Sequence, residues 1–176
     1  MTTVAAFDKM PTAEAADLLL ACCGARRWVD GMVARRPFHL LGVLLGNADE
    51  VWSTMAPPDF REAFQHHPRL GDARTAPAGG DRALVWSSGE QAGMTDASLE
   101  LRTKLAAANE AYEARFGFIC IICATGLSAA EVLTLTEERM ENDLEDELAI
   151  AAEEQRKITR LRLLKLFKEP GSPAAP

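Results

Sequence analysis

The chain has 176 residues, of which 48% are hydrophobic and 26% charged, and its formal net charge is −7. This composition suits one globular domain with a sizeable core, and the acidic balance argues against a non-specific nucleic-acid binder, which needs a basic face. No apolar run approaches the roughly 20 residues that span a bilayer, and no basic and apolar leader follows Met1. We therefore expect a cytoplasmic protein whose partners are small molecules or proteins, with no nucleic acid and no membrane among them.

The first half of the chain is predicted to form five short helices, because capping residues, glycines and prolines divide its apolar periods. Thr12 can cap the first helix, and Gly46 ends the third. Asn47 and Glu50 form a reciprocal capping pair that opens the fourth, and Pro58 starts the fifth. The predicted helices cover residues 12–24, 25–35, 38–45, 47–55 and 58–66.

Residues 68–83 differ from the rest of the chain, because prolines and glycines recur through them. This stretch is longer than most connections in compact domains, and such loops are usually functional or disordered. We therefore predict one long functional loop that follows the fifth helix.

The second half is predicted to contain longer helices. Thr95 can cap a helix that ends at Gly117, and the apolar run 118–123 is too short to assign by its period. Two reciprocal capping pairs open the last helices, Ser128 with Glu131 and Asn142 with Glu145. The sequence thus predicts a single compact all-α domain of about eight or nine helices over residues 1–169, and a disordered tail over residues 170–176.

Four cysteines occur as two close pairs in apolar surroundings, Cys22 with Cys23 and Cys120 with Cys123. Neighbouring cysteines rarely form a disulfide, and no second Cys or His pair stands at a zinc-binding spacing. We expect the cysteines to pack in the core, and we expect no metal site.

The segment His66-His67-Pro68-Arg69-Leu70-Gly71-Asp72 places two of the three histidines at the end of a predicted helix. Histidine titrates near neutral pH, and Pro68 stiffens the backbone beside it. The pattern indicates a positioned proton donor or acceptor. Its simplest alternative is a polar loop that ends a helix.

After the predicted loop, Ser87, Glu90 and Gln91 lie within one short segment that ends at Gly93. Ser-x-x-Glu is also a capping box, which needs no functional explanation. A helix this short buries little, however, and a short helix beside a long loop more often presents side chains to a ligand. Both interpretations remain open on local pattern alone.

Arg162 lies on the apolar side of the last predicted helix, because residues at about 100° spacing bring it into line with Ala151, Ile158 and Leu166. A guanidinium in an apolar stripe needs an anionic partner, which is either a protein carboxylate or a bound ligand. A side chain that extends to the surface is the third alternative. Asn109 and Tyr112 are predicted to pack in the core.

Taken together, four separated motifs closely resemble one family, the 2-oxo-4-hydroxy-4-carboxy-5-ureidoimidazoline (OHCU) decarboxylases of urate degradation. The resemblance covers about residues 7–167. The motifs are His66 to Asp72, Ser87-x-x-Glu90-Gln91-x-Gly93, Asn109-x-x-Tyr112-x-x-x-Phe116-Gly117-Phe118, and Arg162-Leu163.

This resemblance implies an all-helical homodimer that needs no cofactor and releases CO2 from the ureidoimidazoline to give (S)-allantoin. Carried onto this sequence, it implies His67 as the catalytic acid or base, with Glu90 as its partner. It also implies substrate contacts from Pro68, Ser87, Gln91 and Arg162, and from backbone groups of Ile119, Ile121, Ile122 and Cys123. Positive charge for an anionic substrate would come from Arg162, protonated His67 and Arg69.

The sequence departs from the family pattern at two positions. Cys120 stands where a bulky aromatic residue is usual, and Leu127 where a lysine is common. Two other functions remain as alternatives: a helical module that binds a small molecule or a protein without catalysis, and a metal-dependent hydrolase.

Overall fold

The computed structural model describes residues 2–69 and 97–167 of the chain. These two ranges contain eight helices and no strand, so the predicted all-α fold is confirmed for them. Most of the predicted loop and the whole predicted tail lie outside the described residues. The helices are α1 (Val4–Asp8), α2 (Thr12–Cys22), α3 (Arg26–Ala34), α4 (Leu41–Ser53), α5 (Pro57–Phe64), α6 (Leu99–Phe116), α7 (Ala129–Arg139) and α8 (Leu144–Leu166).

The longest helix, α8, has 23 residues and contacts α2, α4 and α5, whereas α6 and α7 pack mainly against each other. Its apolar stripe is buried at Ala151, Ile158 and Leu166. Trp52 of α4 adds a specific contact, because its indole Nε1 donates to the carbonyl of Ala152 at 3.1 Å. Even this helix is not long and apolar enough to cross a bilayer, and the same holds for every other helix in the described ranges.

Both ends of the described chain meet beside the end of α8. The amide of Thr2 donates to the carbonyl of Leu166 at 3.0 Å. The ring of Phe7 packs edge-on against Phe167, with centroids 5.1 Å apart, and stacks against Phe38 at 6.3 Å. Aromatic packing therefore ties α1 to the last described residue.

The third and fourth predicted helices are a single helix, α4, so the predicted break at Gly46 is wrong. The stripe formed by Leu44, Ala48 and Val51 is buried continuously through this position, and its burial outweighs the roughly 1 kcal/mol that a helical glycine costs. Nor do Asn47 and Glu50 form a capping pair. Both side chains accept hydrogen bonds from Arg35 at the end of α3, at 3.1 and 2.9 Å.

Two other predicted caps are shifted by one residue. Pro11 is the N-cap of α2, and Thr12 is already helical. Asp143, rather than Asn142, caps α8, because its carboxylate accepts from the amides at positions 145 and 146. Thr95 lies outside the described residues, and Ser98 caps α6.

Other helix boundaries agree with the predictions. Ser128 and Glu131 form the predicted capping box of α7: the Ser128 hydroxyl accepts from the Glu131 amide, and the Glu131 carboxylate accepts from the Ser128 amide at 2.7 Å. Gly117 ends α6 with a φ of +75°, which a residue with a side chain rarely adopts. The segment 118–127 between α6 and α7 is non-helical and mostly buried.

Candidate functional site

Gly24 allows the end of α5 to lie directly against the connection between α2 and α3. A Cβ atom at this position would lie only 2.2 Å from Cγ of His66. His66 and His67 follow α5 in a turn, and their amides donate to the carbonyls of Ala63 and Phe64, each at 3.1 Å. The missing side chain at Gly24 therefore makes room for the ring of His66.

The His67 side chain is partly buried, and its Nε2 atom is fully shielded from solvent, with no hydrogen-bond partner among the described residues. Burial is the main cause that lowers the pKa of His67 to about 3, and the charge of Arg162 lowers it further, while Gln155 opposes the change. The imidazole is therefore neutral at neutral pH. A neutral imidazole argues against the expectation that a protonated His67 supplies positive charge.

His66 has a different environment from its neighbour. It is half-buried against Gly24, and burial lowers its pKa, while the charges of Glu62 and Arg26 act in opposite directions. Only His67 of the two is affected by the charge of Arg162. The two adjacent histidines therefore lie in different electrostatic surroundings, and the functional role of His67 stays a prediction.

Three polar side chains follow one another on the buried side of α8, namely Gln155, Thr159 and Arg162. Their exposed fractions are 0%, 4% and 1%. Gln155 Nε2 donates to Thr159 Oγ1 at 3.1 Å. The predicted inward position of Arg162 is thus confirmed, and the helical period that predicted it also places Gln155 on this side, although the sequence suggested no role for Gln155.

Cys23 completes this cluster from the connection between α2 and α3. It is fully buried, and the side chains of Thr159 and Arg162 lie near its thiol. Burial raises the pKa of the Cys23 thiol to about 11, so the thiol stays protonated at neutral pH. Cys22 and Cys120 are buried as well, and none of the four cysteines forms a disulfide. The predicted core packing is thus confirmed for Cys22, Cys23 and Cys120, whereas Cys123 is only partly buried. We call Cys23, His67, Gln155, Thr159 and Arg162 the histidine site.

The segment from Ile119 to Cys123, expected to offer backbone groups to a substrate, is held by two buried or half-buried side chains. Arg139 Nη1 donates to the carbonyl of Ile121 at 2.7 Å. The amide of Cys123 donates to the carboxylate of Glu154, the residue before Gln155 on α8, at 2.8 Å. These bonds fix the path of the segment. They also mean that the Ile121 carbonyl and the Cys123 amide already have hydrogen-bond partners in the protein.

A second buried polar cluster lies behind this segment. The sequence analysis did not predict it, although the helical period places Glu147 near the buried side of α8. Glu147 is fully buried, and Arg139 Nε and Nη2 donate to its Oε1 at 2.8 and 2.5 Å. The hydroxyl of Tyr112 donates to the same oxygen, and Asn142 Nδ2 donates to Oε2 at 2.8 Å. We call these four residues the Arg139 network.

Tyr112 and Asn109 are both buried on α6, which confirms the prediction that they pack in the core. Burial is the main cause that raises the pKa of the Tyr112 phenol, and its bond to Glu147 raises it further. Tyr112 therefore remains a hydrogen-bond donor over the whole physiological pH range.

Arg69 lies two residues after His67 and is engaged on the protein surface. Its Nε and Nη2 atoms both donate to Glu113 Oε2 on α6, at 3.0 and 2.8 Å. This ion pair ties the segment after His67 to α6. Of the two arginines expected from the sequence, Arg69 is paired with Glu113, whereas the charge of Arg162 acts on the pKa of His67.

The remaining predicted site residues divide into two groups. Pro68 follows His67 directly and is partly buried. Ser87, Glu90 and Gln91 lie outside the described residues. The structure thus brings His67 together with Arg162, and the other expected partners of His67 stay predictions.

A family model described as OHCU decarboxylase matches residues 8–164 of the chain. Among curated proteins, the uric acid degradation bifunctional protein TTL of Arabidopsis thaliana is 35% identical over 148 residues, which is 84% of this chain and 46% of that protein. The 2-oxo-4-hydroxy-4-carboxy-5-ureidoimidazoline decarboxylase of Amia calva is 35% identical over 88 residues, or 49% of this chain and 50% of that protein. The chain thus spans about half the length of these curated relatives.

Two solved structures are similar to the whole described fold. A crystal structure of OHCU decarboxylase in the presence of (S)-allantoin has a TM-score of 0.73 and 35% sequence identity, and the match covers 86% of this chain and 97% of that one. A crystal structure of (S)-allantoin synthase has a TM-score of 0.71 and covers 96% of this chain and 54% of that one. At 18% identity, this second similarity concerns the fold alone.

Proposed function

The chain belongs to the OHCU decarboxylase family, and from this membership and the histidine site we propose that it decarboxylates 2-oxo-4-hydroxy-4-carboxy-5-ureidoimidazoline to (S)-allantoin in urate degradation. The observation that carries the proposal is the neutral, shielded imidazole of His67 near the buried guanidinium of Arg162. A neutral base beside a fixed cation suits a reaction that moves protons on an anionic substrate.

The proposed reaction needs little from the protein in the bond-breaking step. The bond to the carboxylate breaks, CO2 leaves, and the electron pair forms a C=C bond that displaces the adjacent ring C=N pair onto nitrogen, which takes up a proton. The resulting enol then takes up a proton at carbon on one face, and its hydroxyl proton leaves as the carbonyl forms. Because the substrate itself accepts the electron pair, the mechanism requires no cofactor.

In this proposal the protein binds, orients and moves protons. Arg162 binds the anionic or polar groups of the substrate, and His67 exchanges a proton on one face of the enol, which sets the S configuration. Glu90 holds or deprotonates the substrate hydroxyl. Pro68, Ser87, Gln91 and backbone groups of Ile119, Ile121, Ile122 and Cys123 complete the pocket.

The proposal includes a homodimer that works in the cytoplasm. Large apolar side chains on the surface support an interface with a second copy, since Leu99 is 82% exposed and Leu40 66%. Light scattering coupled to size-exclusion chromatography should give about twice the mass of one chain. A monomer at all concentrations would contradict this part of the proposal and leave the chemistry untouched.

The function is tested by generating the unstable substrate from urate with the upstream enzymes and following the optical activity of the allantoin formed. Spontaneous decay gives a racemate, so we expect this protein to speed the formation of the S enantiomer. A module that only binds a ligand would leave both the rate and the racemic outcome unchanged. Such a result would reject the assignment.

A further inference from the structure

Gln155 is in an unusual position for an amide side chain. It is 0% exposed, and only one end of its amide is bonded: Nε2 donates to Thr159 Oγ1 at 3.1 Å, whereas Oε1 has no hydrogen-bond partner among the described residues. A buried acceptor without a donor costs about 1–3 kcal/mol. Such a cost on the buried side of α8, next to His67, calls for a functional explanation.

The hydroxyl of Thr159 determines which way this amide faces. Thr159 lies beside the Cys23 thiol, and its side chain lowers the pKa of that thiol against the larger effect of burial. Thr159 Oγ1 accepts from Gln155 Nε2 at 3.1 Å, and a hydroxyl that accepts this bond keeps its single hydrogen for another partner, such as the Cys23 sulfur. The NH2 group of Gln155 must therefore face Thr159, and its oxygen faces away from Thr159.

The unbonded end of the Gln155 amide is an acceptor, and a ring nitrogen of His67 can be a donor. His67 Nε2 is shielded from solvent and has no partner in the described part of the chain. The Gln155 side chain is close enough to raise the pKa of His67. If Nε2 carries the hydrogen, a bond from Nε2 to Gln155 Oε1 satisfies both buried atoms at once. In that tautomer the other ring nitrogen, Nδ1, keeps its lone pair.

We propose that Gln155 is a positioning residue for His67: the chain Cys23–Thr159–Gln155 accepts the Nε2 hydrogen of His67 and leaves Nδ1 as the proton acceptor. The inference rests on the proposed function for its catalytic consequence, but the tautomer itself is independent of it. Fixing a histidine tautomer through the nitrogen that does not react is a general way to prepare the other nitrogen for chemistry. Gln155 itself touches neither substrate nor reacting atoms in this account.

The test uses nitrogen-15 NMR of the intact protein, in which only three histidines contribute ring signals. We expect the wild type to show His67 with hydrogen on Nε2 and with an imidazole hydrogen that exchanges slowly. In Gln155→Leu that hydrogen should exchange at least about tenfold faster, because it has lost its acceptor. Gln65→Leu, the same substitution at an exposed glutamine, is the matched control and should leave the His67 signals unchanged.

Two further variants separate positioning from packing. Gln155→Glu keeps the shape and the acceptor and adds charge, so it should raise the pKa of His67 by at least about one unit and shift the pH profile of kcat upward. Thr159→Val keeps the volume and removes the hydroxyl, so Gln155 is free to turn and the His67 hydrogen should lose part of its protection. In the decarboxylation assay, Gln155→Leu should lower kcat about 10- to 100-fold with little change in KM.

The outcomes distinguish this inference from the proposed function. If His67 shows unchanged ring signals and exchange in a folded Gln155→Leu protein, or carries its hydrogen on Nδ1 in the wild type, the inference is overturned whatever the activity. If the NMR results are as expected but the wild type makes no (S)-allantoin, the tautomer is supported and the proposed function fails.

Discussion

Two buried polar clusters lie along α8, and they differ in how completely their hydrogen bonds are satisfied. In the Arg139 network both carboxylate oxygens of Glu147 accept hydrogen bonds, and Arg139 donates to Glu147 and to the carbonyl of Ile121. In the histidine site, His67 Nε2 and Gln155 Oε1 have no partner among the described residues. The two clusters are centred on positions 147 and 155, roughly 12 Å apart along the helix axis.

The difference indicates separate roles for the clusters. A saturated buried network stabilises one arrangement of the chain, here the path of the segment after α6, and has little capacity left to bind a ligand. The histidine site has fewer hydrogen bonds, and even with the proposed bond between His67 Nε2 and Gln155 Oε1 it leaves His67 Nδ1 for function. Stability should therefore depend more on the Arg139 network, and activity more on the histidine site.

The largest expected effect on stability comes from Glu147→Leu. The substitution leaves the buried guanidinium of Arg139 without its carboxylate, which should lower the free energy of unfolding by about 3–5 kcal/mol. Urea denaturation followed by circular dichroism measures it. If the loss is below about 1 kcal/mol, the Arg139 network does not stabilise the fold as described.

Acidification should lower the free energy of unfolding through the histidine site. The folded pKa of His67, about 3, is below its ordinary value of 6.5, so the unfolded chain binds the proton more readily between these values. The cost of keeping His67 as a neutral buried ring is therefore negligible above pH 6.5 and grows as the pH falls toward 3. Between pH 6.5 and about 4.5 the loss should reach about 2–3 kcal/mol.

The control for this pH dependence is His67→Asn, which removes the titrating group. Its free energy of unfolding should fall less steeply over the same pH range. Identical slopes for the variant and the wild type would mean that His67 is not buried as a neutral ring.

Gly24→Ala tests whether the close approach of His66 sets up the histidine site. The added Cβ meets the ring of His66, so the end of α5 must move, and we expect a loss of about 1–3 kcal/mol in stability together with reduced activity. Thermal unfolding and the allantoin assay measure the two effects. An unchanged protein would show that the contact is not needed.

The smallest effect is expected for Gly46→Ala, the same substitution inside α4. No atom lies within 4 Å of the Cβ that it adds, and the backbone is helical, so stability should increase by about 0.5–1 kcal/mol. A decrease in melting temperature would contradict the assignment of α4 as one continuous helix.

The sequence predicted best what depends on local spacing. The capping box of Ser128 and Glu131 and the end of α6 at Gly117 follow from nearest neighbours along the chain. The inward position of Arg162 follows from the helical period alone. Local signals predicted a helix break at Gly46 and a cap at Asn47, and both predictions were wrong. Burial of the α4 stripe and the distant partner Arg35 outweighed these signals.

The sequence could not predict contacts between residues that are far apart in the chain. Cys23 lies next to Thr159, and Arg139 bonds to Ile121, only once the chain has folded. The choice of His67 over His66 came from a family resemblance and stays a prediction. The structure adds that His66 contacts Gly24 and that the charge of Arg162 acts on His67.

The most direct test of the account is the rate of (S)-allantoin formation by His67→Asn compared with His66→Asn, the same substitution at the neighbouring histidine. We predict that His67→Asn loses about 100- to 10,000-fold in kcat while its melting temperature at neutral pH stays at or above that of the wild type. His66→Asn should keep most of the activity. Equal losses in the two variants, or full activity of a folded His67→Asn protein, would contradict the assignment of the reaction to the histidine site.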